Sequence, residues 1–347
     1  MSLNNNFFGV CVTMNIYDVA KMAGVSIATV SRVVNNSDKV SPKTRKRVLD
    51  VMEQSGYTPN VFARGLGLDS MKTIGILCPS IADAFMADAV SILEDQLEKY
   101  GYDCILGCSG YEPLEMERHV KLLLSKRIDA LILVGSTYAS RTGDKRETEY
   151  IREAARQVPV FLINGYVEGD NVYCFYCEDF YATYDVTKGY IRRGKKRILF
   201  LYDSKSYSAQ RKMAGYEAAL ADAGYPVLGE LKFYAENKIH HVRDLLLAHK
   251  TLEFDSVVAT EDGLAIGAIK YAKARGISIP GELSISGYNN SSLAKACDPE
   301  LTSVDNHLEQ LCKDTIDNML KVLHGESDVP QKNGVRCEIV KRCTTDF

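Results

Sequence analysis

The stretch IYDVAKMAGVSIATVSRVVNN, residues 16–36, decides how the rest of the chain is read. Its apolar positions recur at helical spacing: Val19, Ala20 and Ala23 share one face, and Gly24 ends the run. Ser26 then caps a second helix through Asn35, with Val30, Val33 and Val34 turned inward. Ala20 and Gly24 are small where two helices must cross at a tight turn, and Val25 plugs the corner beneath it. Ser41-Pro42 is a cap followed by a first-turn proline, opening a third helix whose Val48, Leu49 and Met52 face inward and which stops at Gly56. Residues 1–13 read as an uncharged, disordered leader, with Met14 as the functional start.

Charge separates this unit from the remainder of the chain. Residues 14–72 hold nine Lys/Arg against five Asp/Glu, while residues 73–347 hold 33 against 40. A small basic module on an acidic body suits binding a polyanion at one end. Within the module, Ser26, Thr29, Ser31 and Asn35 are short hydrogen-bonding side chains suited to phosphates around a helix whose N-terminus enters the major groove. Arg32 has the length and fork to reach a guanine edge. The bland alternative is a surface helix pair in a larger helical domain.

Beyond Lys72, β-rich runs alternate with helical ones: Thr73–Cys78, Asp103–Gly107, Asp129–Val134, Val158–Ile163, Arg197–Tyr202, Ser256–Ala259 and Leu283–Ser286. Such alternation implies parallel sheets covered by helices on both faces, and its extent implies two subdomains with a cleft between them. No run approaches the ~20 apolar residues that span a bilayer, and Phe7–Met14 lacks a basic start and a cleavage site, so a cytoplasmic protein is expected. The ten cysteines lie mostly in apolar segments and read as reduced core thiols; Cys174 and Cys177 have C-x-x-C spacing, but nothing nearby completes a zinc set. Neither G-x-S-x-G nor a P-loop occurs, and the six histidines have no metal spacing, which speaks against an enzyme, a resident metal or a cofactor.

Polar side chains instead gather where strands end and a parallel sheet opens onto its ligand crevice: Asp83 to Phe85, Asn164 to Tyr166, Glu261-Asp262 and Tyr288 to Asn290. Arg211 lies just inside a helix ending at Ala223-Gly224. Amides and carboxylates with aromatic faces suit a polyhydroxylated ligand such as a sugar. Tyr234 or Phe85 is the expected stacking face, though either fits a core position as well, and Asp262 fits a helix cap equally well.

Residues 16–35 closely resemble the LacI/GalR family of bacterial transcription regulators, through Ile16-Tyr17-Asp18-Val19-Ala20, Ala23-Gly24-Val25-Ser26 and Ala28 to Asn35. The likeness resumes at Gly56 to Asn60 and at the hinge-like Ala63-Arg64-Gly65-Leu66. It implies an α-helical helix-turn-helix headpiece (14–60), a hinge (61–72) and an α/β two-lobed core like type I periplasmic-binding proteins (73–347). The lobes are expected at about 73–165 with 305–331, and 166–304 with 332–347. By resemblance, Ile27 and Ala28 join Arg32 in reading bases; Tyr17, Ser26, Thr29, Ser31, Asn35 and Thr44 contact phosphate; Asn60 and Ala63 are DNA-binding positions; and Leu66 wedges into the minor groove.

The resemblance extends more loosely along the core. Gln210-Arg211 to Tyr216 is similar to the stretch whose arginine grips effectors, and Gly287-Tyr288-Asn289-Asn290 stands at a Gly-Phe-Asp-Asp position. Asp83-Ala84 replaces Asn-Pro, and Glu261 replaces Asn. The implied effector set is Asp83, Phe85, Asn164, Arg211, Tyr234, Glu261, Asp262 and Asn289. The implied partners are pseudo-palindromic double-stranded operator DNA, a small effector of sugar type and a second copy of the chain, with no membrane. A phosphorylated sugar, held by Arg211 and Lys205, and a co-repressor protein stay open. The rival from another class is a solute-binding protein for transport, which would share the core.

Overall fold

The computed structural model describes residues 14–34, 37–57 and 70–347. The chain divides into two compact units, residues 1–71 and 72–347.

In the first unit, α1 (Ile16–Ala23) begins at Asn15, whose side chain accepts from the Tyr17 and Asp18 amides while Asp18 accepts the Asn15 amide at 3.0 Å. This reciprocal box satisfies donors that a helix start leaves open. Gly24 ends α1 in the left-handed conformation, φ 60°. Ser26 starts α2 (Ile27–Val34), accepting the Thr29 amide at 3.2 Å. Ser41 does the same for α3 (Pro42–Ser55), which closes at Gly56. Val19, Ala20, Ala23, Val30, Val33, Val40 and Val48 form the core, with Val25 and Met52 packed against it. Leu49 differs from expectation: it is 48 % exposed. Val48 and Met52, four residues apart, own the inward stripe of α3, and Leu49 is rotated about 100° from Val48.

The second unit holds two six-stranded sheets. The first joins β1 (Thr73–Cys78), β2 (Asp103–Cys108), β3 (Ala130–Val134), β4 (Val160–Ile163), β5 (Val172–Cys177) and β11 (Lys332–Val335), all in parallel, in the order β11-β5-β4-β3-β1-β2. Successive strand residues feed opposite faces. Ile74, Ile132 and Phe161 pack with helices α4 (Ala84–Lys99) and α12 (Leu308–Leu323). Leu77, Leu133 and Leu162 pack with α5 (Pro113–Leu124) and α6 (Glu149–Ala155). Cys174 and Cys177, three apart on β5, therefore enter different cores.

The second sheet comprises β6 (Ile198–Tyr202), β7 (Lys232–Tyr234), β8 (Ser256–Ala259), β9 (Ser284–Tyr288), β10 (Thr302–Asp305) and β12 (Glu338–Val340), ordered β12-β10-β9-β8-β6-β7. Only β12 runs antiparallel to its neighbour. Helices α7 (Asp179–Arg192) and α8 (Tyr207–Asp222) cover one face; α9 (Ile239–Ala248) and α10 (Asp262–Arg275) cover the other, and the short α11 (Ser292–Ala296) links β9 to β10. The first helix pair crosses at Gly215, where a Cβ would collide with the Phe180 carbonyl oxygen.

The lobe boundaries need correction. The first lobe keeps residues through Cys177 and recovers residues 332–335, because β5 pairs with β4 and β11 with β5. The chain crosses between lobes at residue 178, at Asn306-His307 and at Arg336-Cys337. All seven expected strands are present, two with the expected bounds and five with ends shifted by one or two residues. Five others, β5, β7, β10, β11 and β12, are added by the structure.

Candidate functional site

Two surfaces concern function. On α2, Val30 and Val33 are buried, so the opposite face carries Ala28, Ser31 and Arg32, with Ile27 and Thr29 at its borders. Ile27 is 41 % exposed, and Ala28 and Arg32 are exposed as well. Tyr17 on α1 is 66 % exposed. Ser26 and Thr29 share a hydroxyl hydrogen bond of 2.9 Å, and Thr44 accepts from Ser41 at the same distance. The helix thus offers one guanidinium and small side chains, a surface that fits a groove without steric obstruction. Asn35, Asn60, Ala63 and Leu66 lie outside the described residues.

In the second unit, a 1390 Å³ cavity opens between the lobes, at the carboxyl ends of both sheets. Each sheet reverses its strand order there, β1 lying between β2 and β3 and β6 between β7 and β8, which leaves room between diverging loops. Asp83, Tyr111 and Thr137 enter from the first lobe; Asp203, Tyr234, Glu261 and Asn289 enter from the second; and Asn306 enters from a crossover.

One buried cation, outside the lining itself, backs two of its residues, Glu261 and Tyr288. Lys212 is 3 % exposed; its ammonium donates to the Thr260 carbonyl at 3.0 Å, sits 3.6 Å above the Tyr288 ring and lies 4.0 Å from Glu261 Oε1. The Tyr288 hydroxyl donates to Asp179 at 2.6 Å. Burial raises the carboxyl pKa of Asp179, Asp203 and Glu261 above the ordinary range, and Lys212 opposes the rise in each. Glu261 is raised well above that range, by burial first, with Asp203 and Asp83 adding like charge. Glu261 accepts from Asn289 Nδ2, whose own carbonyl accepts from Asn306 Nδ2 at 2.8 Å. The Asn306 Oδ1, buried in a side chain only 2 % exposed, has no donor among the described residues. An undonated acceptor at the edge of a cavity suits a ligand hydroxyl or amine once a side-chain rotation exposes it.

The expected effector residues fall into three groups. Asp83, Tyr234, Glu261 and Asn289 line the cavity together. Asp83 also caps α4 through the Met86 amide, while Tyr234 is 54 % exposed and meets Tyr202 edge-on. Phe85 and Asp262 line the cavity too but are 9 % and 3 % exposed: Phe85 belongs to a lobe core, and the Asp262 carboxylate is fully engaged by Ser291 and Ser303. Asn164 and Arg211 do not line it. Asn164 holds a left-handed turn, φ 63°, and its amide donates to the Phe175 carbonyl at 2.7 Å; the exposed Arg211 packs over Phe180.

Sequence reasoning missed Lys212, Asp203, Tyr111 and Asn306. For Lys212 a signal existed: Ser208, Lys212, Gly215 and Ala219 repeat at helical spacing and are the buried face of α8, to which Arg211 does not belong. Nothing local marks Asn306, which acquires its place from a crossover.

An exposed α2 face on a three-helix unit and a polar cavity between two parallel-sheet lobes define a regulator class, a DNA-binding headpiece joined to a sugar-binding type of core. Known proteins agree: residues 15–60 match the bacterial regulatory proteins of the lacI family, and residues 71–343 match the periplasmic binding proteins and sugar binding domain of that family. The chain belongs to the LacI family of transcriptional regulators, which are not enzymes. It is 51 % identical to an HTH-type transcriptional regulator of Lachnoclostridium phytofermentans over 96 % of this chain and all of that one. To catabolite control protein A of Priestia megaterium it is 32 % identical, covering 84 % and 87 % of the two chains. A lac repressor dimer bound to operator and the anti-inducer ONPF shares the fold, with TM-score 0.84, 23 % identity and coverage of 95 % and 98 %. Among the described residues no helix is long and apolar enough to cross a membrane.

Proposed function

We propose that this regulator is a homodimeric repressor of pseudo-palindromic operator DNA whose affinity is set by an unphosphorylated sugar held between its lobes. The observation that carries the effector half is the cavity's charge: carboxylates, Asp83, Asp203 and Glu261 among them, outnumber the lining lysines Lys238, Lys295 and Lys313. A phosphate would meet this excess of carboxylates, and two of the three lining lysines, Lys238 and Lys313, are already paired with Glu236 and Glu309, whereas hydroxyls can donate to the carboxylates. Support comes also from a CelR–cellobiose complex that shares the fold at TM-score 0.68. A second solved relative of similar fold was complexed with phosphate, which keeps anions worth testing. The headpiece disfavours a transport role, since carrying solute needs no DNA-reading face.

The test is a thermal-shift series on the full chain with cellobiose, galactose, glucosamine and glucose 6-phosphate, repeated on Asn306→Ala. Expected are stabilisation by a neutral or amino sugar, none by the phosphate, and at least tenfold weaker binding in the variant. Stabilisation by the phosphorylated sugar alone contradicts the proposal.

A further inference from the structure

The three chain crossings between the lobes converge on one thiol. Cys177 ends β5 at the first crossing; its Sγ donates to the carbonyl of Asn306, in the second, at 3.3 Å. Cys337 lies in the third, and the Cys177 and Cys337 sulfurs and an Asp179 carboxylate oxygen all lie within 4.8 Å of one another. Cys177 is 4 % exposed and Cys337 is half-buried, packed against the cores of both lobes. None of this is needed to bind a ligand in the cavity or to read DNA.

We propose that Cys177 and Cys337 are a redox site, a dithiol that peroxide converts to a disulfide and small thiols reopen, tying the first lobe crossing to the third. The geometry is suitable: β11 runs parallel to β5 with Val335 opposite Cys177, and Cys337, two residues further on, faces the same core as Val335. Side-chain rotation can bring sulfurs at this separation to the ~2.05 Å of a disulfide. The more accessible Cys337 is the attacking group. Its Sγ lies 3.6 Å from the Tyr288 hydroxyl oxygen, on the ring that the Lys212 ammonium overlies.

The Cys337 thiolate attacks hydrogen peroxide, taking one oxygen and releasing water as sulfenic acid forms. The Cys177 sulfur then displaces that oxygen as a second water, leaving the disulfide: two thiols and one peroxide give one disulfide and two waters. The same three ligands resemble a partial metal set. The Lys212 ammonium over Tyr288 disfavours a second cation there, and Asp179 is already engaged by the Tyr288 hydroxyl. A second adjacent pair, Cys78 and Cys108, faces across β1 and β2 inside one lobe, where closure would not link the crossings.

The test treats the full chain with hydrogen peroxide, blocks remaining thiols, and maps peptides under non-reducing conditions. Expected is a Cys177–Cys337 linked peptide, two hydrogens lighter, restored by dithiothreitol and absent in Cys337→Ser. Cys177→Ser, lacking the resolving thiol, should instead accumulate a dimedone-trappable sulfenic acid at Cys337. Hydrogen exchange at residues 306–308 and 336–338 should slow in the oxidised wild type and not in Cys337→Ser. Three results overturn the proposal: both thiols alkylated while Cys78 and Cys108 are oxidised, oxidation that stops at Cys337 in the wild type, or one zinc ion retained by the reduced protein and lost in Cys337→Ser.

Discussion

Lys212 is held by charge rather than by packing alone. Asp179, Asp203 and Glu261 lie around the buried Lys212, which restrains their upward pKa shifts. Lys212→Met should therefore lower stability by about 3–5 kcal/mol at neutral pH, less at pH 5 where the carboxyls take up protons, as measured by denaturant unfolding at both values. Equal loss at both pH values would place the effect in packing. Glu261 carries the opposite sign. Its folded pKa lies above its unfolded one, so protonation favours the fold below the ordinary carboxylate range, and that advantage is lost as pH rises through the raised value. Two other carboxylates remain for Lys212, so Glu261→Gln should melt about 2–4 °C higher than wild type at pH 7, with the difference vanishing toward pH 4; a lower melting point at pH 7 would contradict the assignment. Residue identity was legible where the pattern was local, as at Ala28 and Arg32, whose exposure follows from helical spacing. It failed at Arg211, where a long polar side chain one position from Lys212 looked equivalent in sequence but lies off the buried stripe.

Among the elements, the pairing of α7 with α8 is the tightest constraint. At Gly215 a side chain would meet the Phe180 backbone, which cannot rotate away. Gly215→Ala should destabilise the core by at least about 1–3 kcal/mol and weaken sugar binding, because α8 positions Lys212; calorimetry showing an unchanged protein would refute that close crossing. Strands with continuous apolar runs, such as Ala130–Val134, announced themselves in the sequence. Most that escaped are short or polar: β7 has three residues, β10 reads TSVD, and β11, reading KNGV, is an edge strand paired on one side, whereas β5, VYCFYC, is a six-residue β-rich run that the reading passed over. The short or polar strands are enforced by neighbouring strands rather than by their own composition. Because β5 and β11 both escaped, the lobe boundaries shifted.

At the scale of the molecule, the basic module and the acidic two-lobed body were visible from charge and periodicity. What the sequence could not convey was convergence: the cavity draws Asp83, Asp203, Glu261 and Asn306 from positions spread over more than 200 residues. A ligand can shift a DNA-binding equilibrium only by its differential affinity for two lobe arrangements, about 5- to 150-fold in typical cases. Whether the α2 face reads bases under control of the cavity is decided by selecting from randomised duplexes with the full chain, then measuring affinity for the selected duplex with and without the sugar that stabilises the protein. Such control requires an enriched pseudo-palindrome, an affinity changed at least fivefold by that sugar, and loss of sequence preference in Arg32→Ala. No enriched sequence, or one bound equally well whatever occupies the cavity, would contradict it.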